Sequence, residues 1–155
     1  MAERYRLLGE PSEAESICLD VLDIDPDDQE ALVTLVLALT EQFGEDVASR
    51  VGRARQVLPK LHDEYTRAYY AGLICERWAK AHLQHGGPGA GLGVHDLLRE
   101  AMAWYETAEA IRPPCNDDAV LRWNACTRLL QSHPELIREY SSDGDPETLQ
   151  PVPVG

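Results

Sequence analysis

One short pattern occurs twice in this chain, at residues 14–26 and 101–113. Each copy places small and larger residues at helical spacing and ends in proline: Ala14, Cys18, Val21, Ile24 and Pro26, then Ala101, Tyr105, Ala108, Ile111 and Pro113. Because proline cannot continue a helix, each copy predicts an amphipathic helix followed by a turn. Repeated helix–turn units are typical of solenoids, in which each unit packs on its neighbours.

The rest of the chain also predicts helices. We expect an all-α protein of about seven or eight antiparallel helices within residues 1–140, at about 2–8, 12–24, 28–43, 45–58, 63–84, 94–112, 117–131 and 134–140. Ser12 and Glu15 form a capping-box pattern, and Asp27 or Asp28 is placed to cap the next helix. Runs of β-branched residues are scarce and Phe occurs once, which argues against a sheet.

Two segments have no helix pattern. Residues 86–93 are rich in glycine and predict a flexible loop. Residues 141–155 form a separate tail that contains proline and acidic residues. Because alternating Pro and Val at residues 151–154 favours an extended backbone with little entropy to lose, we expect this tail to dock on a helical groove, its own or a neighbour's.

The spacing between matching residues resembles the tetratricopeptide repeat. Ala14 and Ala48 are 34 residues apart, as are Ile17 and Val51, and Gly72 falls on the glycine of that family's first helix. Four neighbours of this glycine match the family's packing seam: Ala68, Ala71, Cys75 and Trp78. The resemblance covers roughly residues 5–131 and implies a right-handed α-solenoid of antiparallel helix pairs. Such solenoids commonly bind other proteins.

Apolar residues on the first helices of successive pairs predict a concave groove. Its expected lining is Val33, Leu37, Tyr69, Tyr70, Leu73, Arg77, Leu121, Arg122 and Arg128. An apolar, aromatic trough with arginines suits a peptide or helix that carries an acidic group or a C-terminal carboxylate. Val33 and Leu37 stand where family members that clamp a carboxylate have Lys and Asn, which is a departure from that clamp.

No catalytic motif stands out, so we expect a protein that is not an enzyme and needs no cofactor or metal. The acidic run that starts at Asp23 lacks the glycine and glutamate of a calcium loop. The glycine run does not follow a strand, as a nucleotide-binding loop would. His82, His85 and His95 flank the glycines, and a small metal-binding protein or enzyme built on them is a weaker alternative.

Charge and hydropathy limit the partners. A net charge of −13 argues against binding to nucleic acid. No apolar window reaches membrane-spanning length, the first residues lack a signal peptide's apolar core, and the four cysteines lack paired spacing. We therefore expect a cytoplasmic protein with reduced thiols. The leading hypothesis is a scaffold that binds a protein or peptide in the groove, and the alternative is a homodimer formed through the groove or the tail.

Overall fold

Seven α-helices of six residues or more make up most of the part of the chain that the structure describes. The computed structural model describes residues 1–44, 46–86, 90–136 and 152–154, with the backbone alone at residues 90–92. The helices are α1 Ala2–Leu7, α2 Pro11–Ile24, α3 Gln29–Thr40, α4 Val47–Val57, α5 Glu64–His85, α6 Ala90–Ala110 and α7 Asp118–Ser132, with a 3-10 turn at Leu58–Lys60. The described residues contain no strand, which confirms the all-α prediction.

Each helix packs against the next one in the sequence. Contacts join α1 to α2, α2 to α3, α3 to α4, α4 to α5, α5 to α6 and α6 to α7, and the contact between α5 and α6 is the most extensive. Additional contacts join α3 to both α1 and α5. Short connections favour this arrangement, because they bring consecutive helices together.

Aspartates cap α3, as predicted, and α5, for which no cap was predicted. Asp28 accepts a hydrogen bond from the backbone N–H of Ala31 at 3.0 Å. Asp63 accepts one from the backbone N–H of Thr66 at 2.9 Å. Each carboxylate satisfies a backbone donor that has no partner within the helix.

The capping box predicted for α2 is wrong. The helix begins at Pro11, with Glu10 in the cap position and no side-chain cap, so Ser12 already lies inside the helix. Proline suits the first helical position because its φ is fixed and it has no N–H to satisfy. Glu15 does not close a capping box but forms an ion pair with Arg53 of α4.

The glycine-rich loop is shorter than predicted. Helix α6 begins at Ala90 and includes Gly91 and Gly93, whereas residues 87–89 lie outside the described residues. The side chains of Val94 and Leu98 are 0% exposed in the core. Packing of this first part of α6 offsets the low helix propensity of glycine.

Other differences concern helix ends. Helix α3 ends at Thr40 and α4 starts at Val47, each a few residues inside its predicted bounds. Residues 134–136 are helical, and the rest of the predicted last helix, to residue 140, lies outside the described residues. Of the predicted tail, the structure describes residues 152–154.

Helix α5 contributes to two clusters of buried side chains. One cluster joins α5, α6 and α7, and the other joins α2, α3, α4 and α5. A helix buried on two sides must allow close approach, and four of the small buried residues of α5 are Ala68, Ala71, Gly72 and Ala79. This explains why the predicted packing seam lies on α5.

The two copies of the repeated pattern are buried in the same way at their first positions. Ala14 and Cys18 of α2 are 0% exposed, as are Ala101 and Tyr105 of α6. The isoleucines that precede the prolines are not core residues, since Ile24 is 89% exposed and Ile111 is 45% exposed. The small–large alternation therefore marks helix–helix contacts, whereas the isoleucine before each proline does not.

Candidate partner-binding surfaces

Three of the predicted groove residues meet in one open cavity. Val33 and Leu37 of α3 and Tyr70 of α5 line a cavity of about 540 Å³, which we call the α3–α5 groove. The full lining is Glu3, Gln29, Glu30, Val33, Thr34, Leu37, His62, Asp63, Thr66 and Tyr70. Helices α3 and α5 are not adjacent in sequence, so their packing creates this surface.

The α3–α5 groove is acidic. Its lining contains the carboxylates of Glu3, Glu30 and Asp63 and no Lys or Arg among the described residues. Hydrogen bonds from Thr66 lower the pKa of Asp63, and a hydrogen bond from Arg6 lowers the pKa of Glu3. Both carboxylates are charged at neutral pH. This lining is negatively charged, whereas the partner predicted from the sequence carries an acidic group.

The two arginines expected to read an acidic group are engaged within the protein. The guanidinium of Arg77 donates a hydrogen bond to Thr40 Oγ1 at 2.6 Å and lies 3.9 Å from the Glu41 carboxylate. Burial lowers the pKa of Arg77. Arg122 donates to Glu76 Oε2 at 3.2 Å. Neither side chain lines the α3–α5 groove.

The remaining predicted residues do not share that surface either. The Tyr69 ring lies 5.9 Å from the Tyr65 ring and 5.8 Å from the Tyr105 ring, within the aromatic packing between α5 and α6. Leu73 is 1% exposed and belongs to the interior. Leu121 and Arg128 are exposed on α7. Positions that match by repeat register thus face different surroundings.

A buried glutamate joins three helices, and the sequence analysis did not single it out. Glu76 of α5 is 0% exposed. Its Oε1 accepts a hydrogen bond from the Tyr105 hydroxyl at 3.0 Å, and its Oε2 accepts from Lys80 Nζ at 2.7 Å and from Arg122 at 3.2 Å. The available sequence signal for a buried glutamate was the position of Glu76, directly after Cys75 of the predicted packing seam. A buried carboxylate needs such partners to remain charged.

This network does not supply an activated nucleophile. The Cys126 thiol lies 3.6 Å from Glu76 Oε1, and burial followed by the Glu76 charge raises the pKa of this thiol. Burial and the same charge raise the pKa of Tyr105. Both groups are therefore protonated at neutral pH, and thiol reactivity requires the thiolate.

The three histidines near the glycines differ in their surroundings. His95 is 5% exposed and burial lowers its pKa, whereas His85 is exposed. The His82 ring lies 6.0 Å from the Trp78 ring. Within the part of the chain that the structure describes, no group of three His, Cys, Asp or Glu side chains is arranged to hold a metal ion.

A second cavity is lined in part by the tail. The side-chain amide of Asn124, on α7, donates to the Val152 carbonyl at 2.5 Å and accepts from the Val152 N–H at 2.6 Å. Beside them lies a cavity of about 520 Å³ lined by residues of α6 and α7 together with Val152 and Pro153. We call this surface the α6–α7 cleft. Val152 and Pro153 of the tail thus lie against α6 and α7, and none of the nine predicted groove residues lines this cleft.

Comparison with known proteins identifies no relative: no protein-family model, no curated protein and no solved structure matches the chain. None of the described helices has the length and apolar character needed to cross a membrane.

Proposed function

We propose that the protein is a non-catalytic scaffold that binds a segment of a partner protein in the α3–α5 groove. The groove itself is the observation that carries this proposal: an open cavity with Val33, Leu37 and Tyr70 in its lining and carboxylates around them. Concave surfaces that combine apolar side chains with a few placed charges are typical binding sites. The contacts between successive helices support a tetratricopeptide-like, right-handed solenoid as the frame.

The chemistry of the groove defines the partner. Apolar side chains of the partner contact Val33 and Leu37, and its Lys or Arg side chains pair with Glu30 and Asp63. A protein of net charge −13 also attracts a basic partner over long range, and salt screens that attraction. Binding in this groove is therefore stronger at low ionic strength.

The test uses two labelled 15-residue peptides that share an alternating Leu pattern, one with Lys and one with Glu at the polar positions. Fluorescence anisotropy measures their binding to the full chain. The Lys peptide binds and the Glu peptide does not. Light scattering on the same samples tests the homodimer alternative, because a dimer closed through the groove competes with the peptide.

Matched variants separate groove binding from general attraction to an acidic protein. Glu30→Lys changes the groove lining, and Glu13→Lys makes the same charge change at an exposed position of α2 outside the groove. We expect Glu30→Lys to weaken binding about tenfold, which corresponds to roughly 1.4 kcal/mol for the loss of one charge pair and the gain of a repulsive one. Equal losses in the two variants, or no binding by the Lys peptide, would refute the proposal.

A further inference from the structure

We propose that the α6–α7 cleft is a second binding site, specific for an extended peptide backbone. Val152 and Pro153 form part of its lining, Val152 hydrogen-bonds to Asn124, and a separate peptide of the same sequence competes for these contacts. The site shares no lining residue with the α3–α5 groove. The proposal for this site is therefore tested independently of the function proposed above.

The arrangement of Asn124 carries this proposal. Its amide nitrogen donates to the C=O of Val152, and its amide oxygen accepts from the N–H of the same residue. A peptide unit of any sequence other than proline presents the same pair of groups. Two-point contact with one residue's backbone fixes the path of the segment and is a common way for proteins to hold extended peptides.

Asn124 is built into the helix as a buried group. Asn124 is 4% exposed with the tail in place. Among the described residues, its amide hydrogen-bonds to Val152 alone. Departure of the tail removes both hydrogen bonds, and another peptide backbone at the same place restores both.

The cleft also provides contacts for side chains. Val120 and Trp123 of α7 line the cavity together with Val152 and Pro153. Trp123 Nε1 donates to Glu106 Oε1 at 3.0 Å, which fixes the indole. The ligand class is therefore a short apolar segment that contains proline, held by its backbone at one residue.

The test uses three full-length proteins: the wild type, Val152→Pro and Val154→Pro. Proline at position 152 removes the N–H that Asn124 accepts, whereas the N–H of Val154 makes no hydrogen bond among the described residues. Nuclear magnetic resonance follows the side-chain amide signal of Asn124. We expect this signal to shift in Val152→Pro and to keep its wild-type position in Val154→Pro.

A synthetic peptide of residues 149–155, amidated at its end, is then added to each protein. In Val152→Pro it should return the Asn124 signal toward its wild-type position, with an affinity at least about tenfold higher than for the wild type, whose site is occupied. N-methylvaline at position 152 of the peptide should weaken binding about fivefold to tenfold, and N-methylvaline at position 154 should not.

Three results would overturn the proposal. They are an Asn124 signal that does not respond to Val152→Pro, a peptide that binds all three proteins equally, and a peptide that binds none of them. The Asn124→Ala variant adds a second test, with thermal unfolding to confirm that it folds. If the folded double variant Asn124→Ala/Val152→Pro binds the peptide as tightly as Val152→Pro does, the Asn124 amide does not hold the peptide backbone.

Discussion

The ring of Tyr105 occupies the space that a side chain at position 72 would need. A Cβ atom placed on Gly72 would lie 2.7 Å from Tyr105 Cε1 and 2.9 Å from Cδ1. The same ring carries the hydroxyl that donates to Glu76, one helical turn after Gly72. Close approach of α5 and α6 and the position of the buried carboxylate therefore depend on one glycine–tyrosine contact.

Replacement of Gly72 by alanine is expected to destabilise the protein. The added methyl group forces the Tyr105 ring to move in a packed core, at a cost of about 1–3 kcal/mol that exceeds the gain in helix propensity. Gly52→Ala is the matched control, because a Cβ there meets no atom within 4 Å. Urea unfolding should show a lower free energy for Gly72→Ala and a value up to about 1 kcal/mol higher for Gly52→Ala. A stabilised Gly72→Ala variant would contradict the packing described.

The ion pair between Arg122 and Glu76 is expected to stabilise the contact between α5 and α7. In Arg122→Ala the Glu76 carboxylate stays buried and keeps Lys80 as a cationic partner, so we expect a loss of about 1–3 kcal/mol. Arg128→Ala, an exposed change on the same helix, should stay within about 0.5 kcal/mol of the wild type. Chemical denaturation of both variants measures the difference, and equal stabilities would show that the pair contributes nothing.

Stability should fall as the pH rises above about 9. Burial raises the pKa of the Cys75 thiol from its ordinary value near 9 to about 11. A pKa raised in the folded state means that the unfolded chain releases its proton first, so stability is full below pH 9 and is lost up to about pH 11. Because of this thiol, the free energy of unfolding at pH 10 should be lower than at pH 7 by roughly 1 kcal/mol.

Comparison of the pH slopes of the wild type and Cys75→Ala tests this prediction. The variant has a lower stability at every pH because of the cavity, so the slope between pH 9 and pH 10 is the measured quantity. It should be smaller in Cys75→Ala by up to about 1.4 kcal/mol per pH unit. An identical slope would place the alkaline sensitivity on other groups, such as the buried Cys18, whose pKa burial also raises to about 11.

The four thiols should differ sharply in reactivity. Cys115 is exposed, whereas Cys18, Cys75 and Cys126 are buried. At pH 8 a thiol reagent should modify one thiol rapidly in the folded protein and all four after denaturation. Peptide mass mapping should locate the fast site at Cys115. Rapid modification of a second thiol would show that one of the helix contacts opens.

Local signals along the chain were enough to predict the helices and several of their ends. Pro26 and the Asp28 cap mark the boundary between α2 and α3, and Asp63 marks the start of α5, because these signals act within one turn of the chain. The small–large alternation of Ala101 and Tyr105 likewise identified core positions, since burial follows from helical periodicity.

Packing between helices selected which helical faces became surfaces. The repeat register predicted that Leu73 and Arg77 would line the groove with Val33. In the structure, α5 packs between two clusters, so that Leu73 is buried and Arg77 donates a hydrogen bond to Thr40. The acidic character of the α3–α5 groove and the contact of Asn124 with Val152 join residues far apart in the chain. Periodicity reports one helix at a time, whereas a binding surface depends on the relative placement of several helices, which close packing fixes.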